Sequence, residues 1–180
     1  ISTAQGKPSV SNLIEPVNYF SGRSVELERL NVHLLEYKTS SIVGLTGIGK
    51  SQLIRKYAFE NKEKYNLIWF FDCSLSLDRQ FSNLARTINA KHNKTQISLP
   101  EDVNAKQAIL NYISSNKDVL IVLDNIKIGN NDIIQDFSKL EHNGHIVFCS
   151  QDSNNLPHVI RLSNLSQIDS NILLNKIIDK

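Results

Sequence analysis

Several stretches of this chain are apolar at nearly every position, and amphipathic stretches separate them. Leu67-Ile68-Trp69-Phe70-Phe71, Val119-Leu120-Ile121-Val122-Leu123 and Ile146-Val147-Phe148-Cys149 are continuous apolar runs. Such runs suit strands buried on both faces of a sheet. The strands expected from them are Asn66–Asp72, Val119–Leu123 ending at Asp124, and His145–Cys149. Two shorter β-rich runs, Ser41–Leu45 and His158–Leu162, add a first and a last strand.

The stretches between them carry apolar residues at helical spacing. Leu27, Leu30 and Leu34 give one face to a helix capped by Ser24 and running to about Tyr37, with Glu26 and Glu28 at its positive end. A helix after the first strand carries Leu53, Ile54, Tyr57 and Ala58. A third places Leu77, Phe81, Leu84, Ala85 and Ile88 on one side, and a fourth covers about Val103 to Ser114. Residues 128–138 hold a short helix. A last one, about Gln167 to Ile178, spaces Ile168, Ile172, Leu173 and Ile177. Strands alternating with helices predict an α/β fold of three layers, with a parallel sheet wrapped on both faces. Residues 1–16 show no periodicity and read as a leader or linker.

Composition adds little to this picture. The 180 residues are 41% hydrophobic and 21% charged, with a net charge of +2. That is enough chain for one ordinary domain. No dense basic stripe stands out, so no nucleic-acid partner is expected. No apolar run is long enough to span a membrane, and none reads as a signal peptide. The two cysteines, Cys73 and Cys149, have neither metal spacing nor a disulfide framework, so the expected compartment is a reducing cytoplasm. A start at Ile1 and the lack of methionine read as a piece of a larger protein.

The chemistry lies in Gly44-Leu45-Thr46-Gly47-Ile48-Gly49-Lys50-Ser51, between the first strand and a helix. A polyphosphate needs many donors and few obstructing side chains. Gly44 and Gly49 are expected to let the backbone turn tightly, so that successive N–H groups form an anion nest. The helix beginning near Lys50 points its positive end at the same place. Lys50 adds a mobile charge for the β and γ phosphates, and Ser51 offers a hydroxyl to Mg²⁺. Asp124 closes an apolar run, the place from which a second strand delivers a carboxylate beside that ion. The next residue is Asn125, where many ATPases carry a second acid. An amide orients water but cannot take its proton at neutral pH. Asp124 and Asn125 are therefore the candidate catalytic pair, with slow hydrolysis expected.

Taken together, these segments resemble the STAND class of signalling NTPases, and within it the NB-ARC-type domains of bacterial proteins with helical repeats. The likeness is carried by Tyr19-Phe20-Ser21-Gly22-Arg23 followed by Glu26-Leu27 and Leu30, by Ile42 to Leu53, and by Tyr57-Ala58 with Tyr65 to Trp69. Leu120 to Asn125, Ile146 to Gln151, and Val159-Ile160-Arg161-Leu162 with the last helix complete it. It covers about residues 17–178. It implies a five-stranded sheet of order 5-1-4-3-2, a nucleotide-binding domain over 17–163, and a helical subdomain beginning at 164–180.

The resemblance also implies roles. The backbone around Phe20 and Ser21 meets adenine, and Arg23 lies beside the nucleotide. Thr46, Gly47, Ile48, Gly49, Lys50 and Ser51 wrap the phosphates, Gln52 lies near the α-phosphate, and Ser51 and Asp124 serve Mg²⁺. The cofactor is then ADP or ATP. ADP holds a closed state, and exchange for ATP opens the full-length protein and drives it to oligomerise. The partners implied are the nucleotide, neighbouring winged-helix and helical-repeat domains, and further copies of the protein.

Three departures from the family pattern stand out. Thr46 occupies a frequent glycine position, and Asn125 replaces the usual second acid. Gln151 stands in place of a sensor arginine for the γ-phosphate. Two other readings stay open: a working ATPase of the AAA+ type, and a degenerate module that binds partners rather than nucleotide. Asn93-Lys94-Thr95-Gln96 lacks the Asp of a guanine-reading motif. His142 and His145 flank a turn at Asn143-Gly144 and do not read as a metal pair. Trp69, Phe70 and Phe71 read as core, and Cys149 as inert packing near the pocket.

Overall fold

The computed structural model describes residues 9–92, 98–127 and 129–178. Asn93-Lys94-Thr95-Gln96 lies outside the described residues. The strands are β1 (Val10–Ser11), β2 (Thr39–Val43), β3 (Leu67–Asp72), β4 (Val119–Ile126), β5 (His145–Ser150) and β6 (Val159–Arg161). The helices are α1 (Ser24–Tyr37), α2 (Lys50–Glu60), α3 (Leu77–Lys91), α4 (Ala105–Ser115), α5 (Asn131–Ser138) and α6 (Gln167–Ile178).

All strand pairs are parallel, in the order β1-β3-β4-β5-β2-β6. Read from the other edge, the five expected strands follow in the expected order. The correction is a sixth strand. Val10 and Ser11, inside the stretch read as a leader, pair with Leu67 and Ile68. Asn12 extends this edge by exchanging side-chain hydrogen bonds with Phe70, donating to its carbonyl at 2.9 Å and accepting from its N–H at 2.7 Å. Two residues are too few to show a period, which is why the pattern misses this strand.

Side chains alternate across the sheet and feed two cores. On one face Trp69, Phe71, Ile121, Leu123, Ile146 and Phe148 meet α3, α4 and α5, with Phe71 and Phe81 ring centroids 4.7 Å apart. On the other, Ile42, Ile68, Leu120, Val122 and Val147 meet α1 and α2 through Leu30, Leu34, Leu53, Ile54 and Tyr57. Removing a fully buried aromatic such as Phe71 leaves a cavity costing about 3–5 kcal/mol.

Several local expectations change. The N-cap of α1 is Arg23 in left-handed backbone (φ 66°), and no side chain caps the helix; Ser24 is its first residue. β2 starts earlier than its apolar pattern suggests, because Ser40 and Ser41 are fully buried. Their hydroxyls donate to the carbonyls of His158 and Pro157, so burial leaves neither unsatisfied. β4 does not stop at Asp124. It continues through a bulge to Ile126, with Leu123 opposite Phe148 and Ile126 opposite Ser150.

At the opposite rim, the Tyr65 hydroxyl lies 2.7 Å from His145 Nδ1 and 3.3 Å from the Tyr57 hydroxyl. Burial pushes the His145 pKa from 6.5 to about 4, and the charges of Lys38, His142 and Lys64 push the same way. A depressed histidine pKa means the unfolded chain takes a proton that the folded chain refuses. Stability is therefore expected to fall as pH drops from about 6.5 towards 4. Discounted for partial exposure, the loss is about 1–2 kcal/mol. Denaturant midpoints across that range should slope less in His145→Gln than in the parent.

Candidate functional site

The carboxyl ends of β2, β4 and β5 open into a cleft of about 280 Å³. It is lined by Thr46, Gly47, Gly49, Lys50, Ser51 and Gln52 on one side, and by Asn125, Lys127, Cys149 and Gln151 among others on the other. The two segments that carry the motif chemistry, about 75 residues apart in sequence, thus face each other.

The glycines divide the work differently from the sequence expectation. Gly47 (φ 78°) and Gly49 (φ 99°) supply the left-handed turns, and a Cβ on either would meet no atom within 4 Å. Their open side faces the cleft, so the backbone is bare where a ligand would approach. Gly44 has no positive φ. It is needed for space, since a Cβ there would lie 3.0 Å from the Leu162 carbonyl and 3.1 Å from Ile48 Cγ2.

Lys50 Nζ donates to the carbonyls of Gly44 at 2.8 Å and Leu45 at 2.9 Å. The ammonium is held over the loop by neutral acceptors, which an anion can outcompete. Gly49 ends in the turn that starts α2, and its carbonyl accepts the N–H of Leu53. The first N–H groups of α2 therefore open towards the cleft.

Across the cleft, Asp124 is 8% exposed and takes the N–H of Asn125 at 2.9 Å. Asn125 (φ 57°) sits at the bulge with an exposed side chain, a conformation that Asn tolerates better than most residues. Cys149 is fully buried. Burial raises its thiol pKa well above normal and the Asp124 carboxylate adds to this, so it stays protonated and unreactive.

The donor set suits a Mg²⁺–polyphosphate. The loop and α2 offer N–H groups and one ammonium to an anion, while Ser51 and Asp124 carry hard oxygens of the kind that Mg²⁺ takes. Among the described residues, no three His, Cys, Asp or Glu side chains cluster to hold a metal alone.

Of the remaining candidates, Arg23 and Phe20 are not among the residues that line the cleft. Arg23 is 8% exposed and points under the loop. Its guanidinium donates to the carbonyls of Ile48 at 3.4 Å and Ser163 at 2.6 Å, and pairs with Glu26 at 2.9 Å. Gly22, beside it, is packed so closely by α6 that a Cβ would lie 2.7 Å from Asp169 Cγ. The Phe20 carbonyl accepts from Lys176 of α6 at 3.3 Å. Gln52 lines the cleft, and its Oε1 accepts the N–H of Val17 at 3.1 Å. The opening segment thus clasps both the loop and the exit helix.

Two charged residues escaped sequence reasoning. Lys127 lines the cleft just after the bulged end of β4. Asp72 becomes relevant through the register that sets it beside Asp124. No local motif marks either one.

This sheet order, with a glycine loop after β2 and an acidic strand two positions away, defines the fold of the P-loop NTPases. Solved structures agree. Cdc6p from Pyrobaculum aerophilum is similar over 95% of this chain and 52% of its own length, with a TM-score of 0.59 and 17% identity. The Walker-type ATPase of Pyrococcus abyssi matches over 92% and 60%, with 0.59 and 14%. The replication initiator DnaA, solved with AMPPCP and single-stranded DNA, matches over 94% and 56%, with 0.57 and 13%. At these identities the likeness speaks for the fold, and the chain spans only about half to three fifths of each of these proteins. The NB-ARC domain matches residues 23–166, so the chain belongs to the NB-ARC domain family. No curated protein sequence matches it. No helix among the described residues is long and apolar enough to cross a membrane.

Proposed function

We propose that this domain is the adenine-nucleotide switch of a STAND-class signalling NTPase, holding ADP in a closed state and hydrolysing ATP slowly. The observation that carries the reading is the cleft itself. It offers bare backbone and a displaceable lysine for phosphates, yet the wall at the end of β4 presents Asn125 where a proton acceptor would serve fast turnover. Gln151 lines the same cleft with a neutral amide, so that position brings no full charge to a γ-phosphate. The exit helix supports the rest. α6 has no buried residue and leaves Ile168, Ile172, Leu174 and Ile177 largely exposed, as suits a helix continuing into neighbouring domains. Phe20 and Ser21 meet adenine in this reading, and winged-helix and helical-repeat domains read the nucleotide state.

The test is to denature the purified protein and identify what it releases. Released ADP is the expected result, with ADP outcompeting GDP in titration and turnover well below about 10 s⁻¹. An empty site with brisk Mg²⁺-dependent turnover would instead make this a working ATPase. No binding of either nucleotide would leave an interaction module.

A further inference from the structure

We propose that Asp72, on the strand next to the acidic one, is the carboxylate that takes the proton from the attacking water when bound ATP is hydrolysed. This rests on the nucleotide-site reading above and adds a residue outside the motifs.

Asp72 and Asp124 are register partners on adjacent parallel strands. Alternation places both on the sheet face covered by α2: Ile68 and Phe70 pack on that side, as do Leu120 and Val122. Neighbouring strands are about 4.8 Å apart, so the two carboxylates stand side by side at the strand ends. The Asn125 side chain turns across to its neighbour at the bulge. Its Nδ2 donates to Asp72 Oδ1 at 3.1 Å, which leaves the amide oxygen free to orient a water.

The same Oδ1 accepts the N–H and the hydroxyl of Ser74 at 3.0 and 2.6 Å. Three donors thus fix one oxygen, while Oδ2 accepts no hydrogen bond among the described residues. Burial alone would raise this carboxyl's pKa. The Ser74 and Asn125 bonds and the charge of Lys127 outweigh it and hold the pKa below normal, so the group is ionised at neutral pH.

In the step, the water oxygen bonds to Pγ and the Pγ–O bond to ADP breaks, its electron pair leaving with ADP. The water's proton passes to Asp72 and then to the released phosphate.

Asp72→Asn discriminates sharply. Asparagine keeps an Oδ1 for all three donors, so a residue that merely braces the turn would be replaced with little effect. The readout is single-turnover conversion of saturating Mg-ATP by protein stripped of nucleotide, with the ADP-induced melting shift as a control for binding and folding. Asp72→Asn is expected to slow conversion by about a hundredfold while keeping that shift. Adding Asn125→Asp to Asp72→Asn returns a carboxylate one strand away and is expected to restore turnover. Wild-type rates in Asp72→Asn, no rescue in the double variant, or bound ATP that the parent never hydrolyses would each overturn the proposal and leave the switch intact. A parent with no melting shift would overturn the nucleotide site first, and this assignment with it.

Discussion

Stripped of nucleotide, the protein is expected to melt about 5–11 °C lower than in the presence of ADP and Mg²⁺ at a hundred times the dissociation constant. Ligand at that excess adds about 2.7 kcal/mol, and each kcal/mol moves a domain of this size by about 2–4 °C. Lys50→Ala should erase much of that shift. The loop gives phosphate many dipoles but only one full positive charge, and phosphate oxygens leaving water need compensation. Without ligand the same substitution should change little. Lys50 then donates, among the described residues, to the Gly44 and Leu45 carbonyls, at a half-exposed site where water can replace it. Calorimetry of parent and variant, each with and without ADP, checks both halves. A full shift in Lys50→Ala would show that nucleotide binds by other contacts.

Arg23→Ala is expected to do the reverse. It should lower the melting temperature of the ligand-free protein by about 4–12 °C and leave most of the ADP shift in place. The guanidinium is buried and satisfies the Ile48 and Ser163 carbonyls, and its loss leaves Glu26 without its partner. Breaking such a buried set costs about 2–3 kcal/mol, and the temperature range follows from domain size. Arg23→Lys should rescue poorly, since one ammonium cannot span three acceptors in fork geometry. An unchanged ligand-free melt with a lost ADP shift would move Arg23 to the nucleotide, where the family resemblance puts it.

The contrast between these two residues shows what the chain discloses by itself. Lys50 stands out in the chain because its setting is local: strand, glycines, lysine and helix are contiguous, and the structure places it on the cleft. Asp124 stands out for the same reason, as the residue that closes an apolar run. Arg23 was visible as a residue of interest, but its carbonyl partners depend on where residues 48 and 163 come together. Asp72 was passed over as the last letter of a strand, because its meaning depends on register with β4 and on a bulge that turns Asn125 sideways. The buried serines of β2 hid the start of that strand, since the carbonyls that satisfy them lie more than a hundred residues downstream. Fold class follows from periodicity, which is short-ranged. Side-chain partners across strands are long-ranged, and a linear pattern does not contain them.

The sheet order has a consequence for how the protein is made. Among the described residues, the strand that carries the phosphate loop pairs with β5 on one side and β6 on the other. Synthesis runs from Val43 through about a hundred further residues before the first of these partners exists. Until then the ribosome presents a complete glycine loop on a strand with two open edges, a species prone to pair with whatever it meets. A chain halted before His145 therefore carries every residue of the loop without the platform that points its N–H groups one way. On the proposed reading, nucleotide capture would belong to the finished sheet, and a nascent chain would gain no stability from bound nucleotide until β5 and β6 have docked on either side of β2.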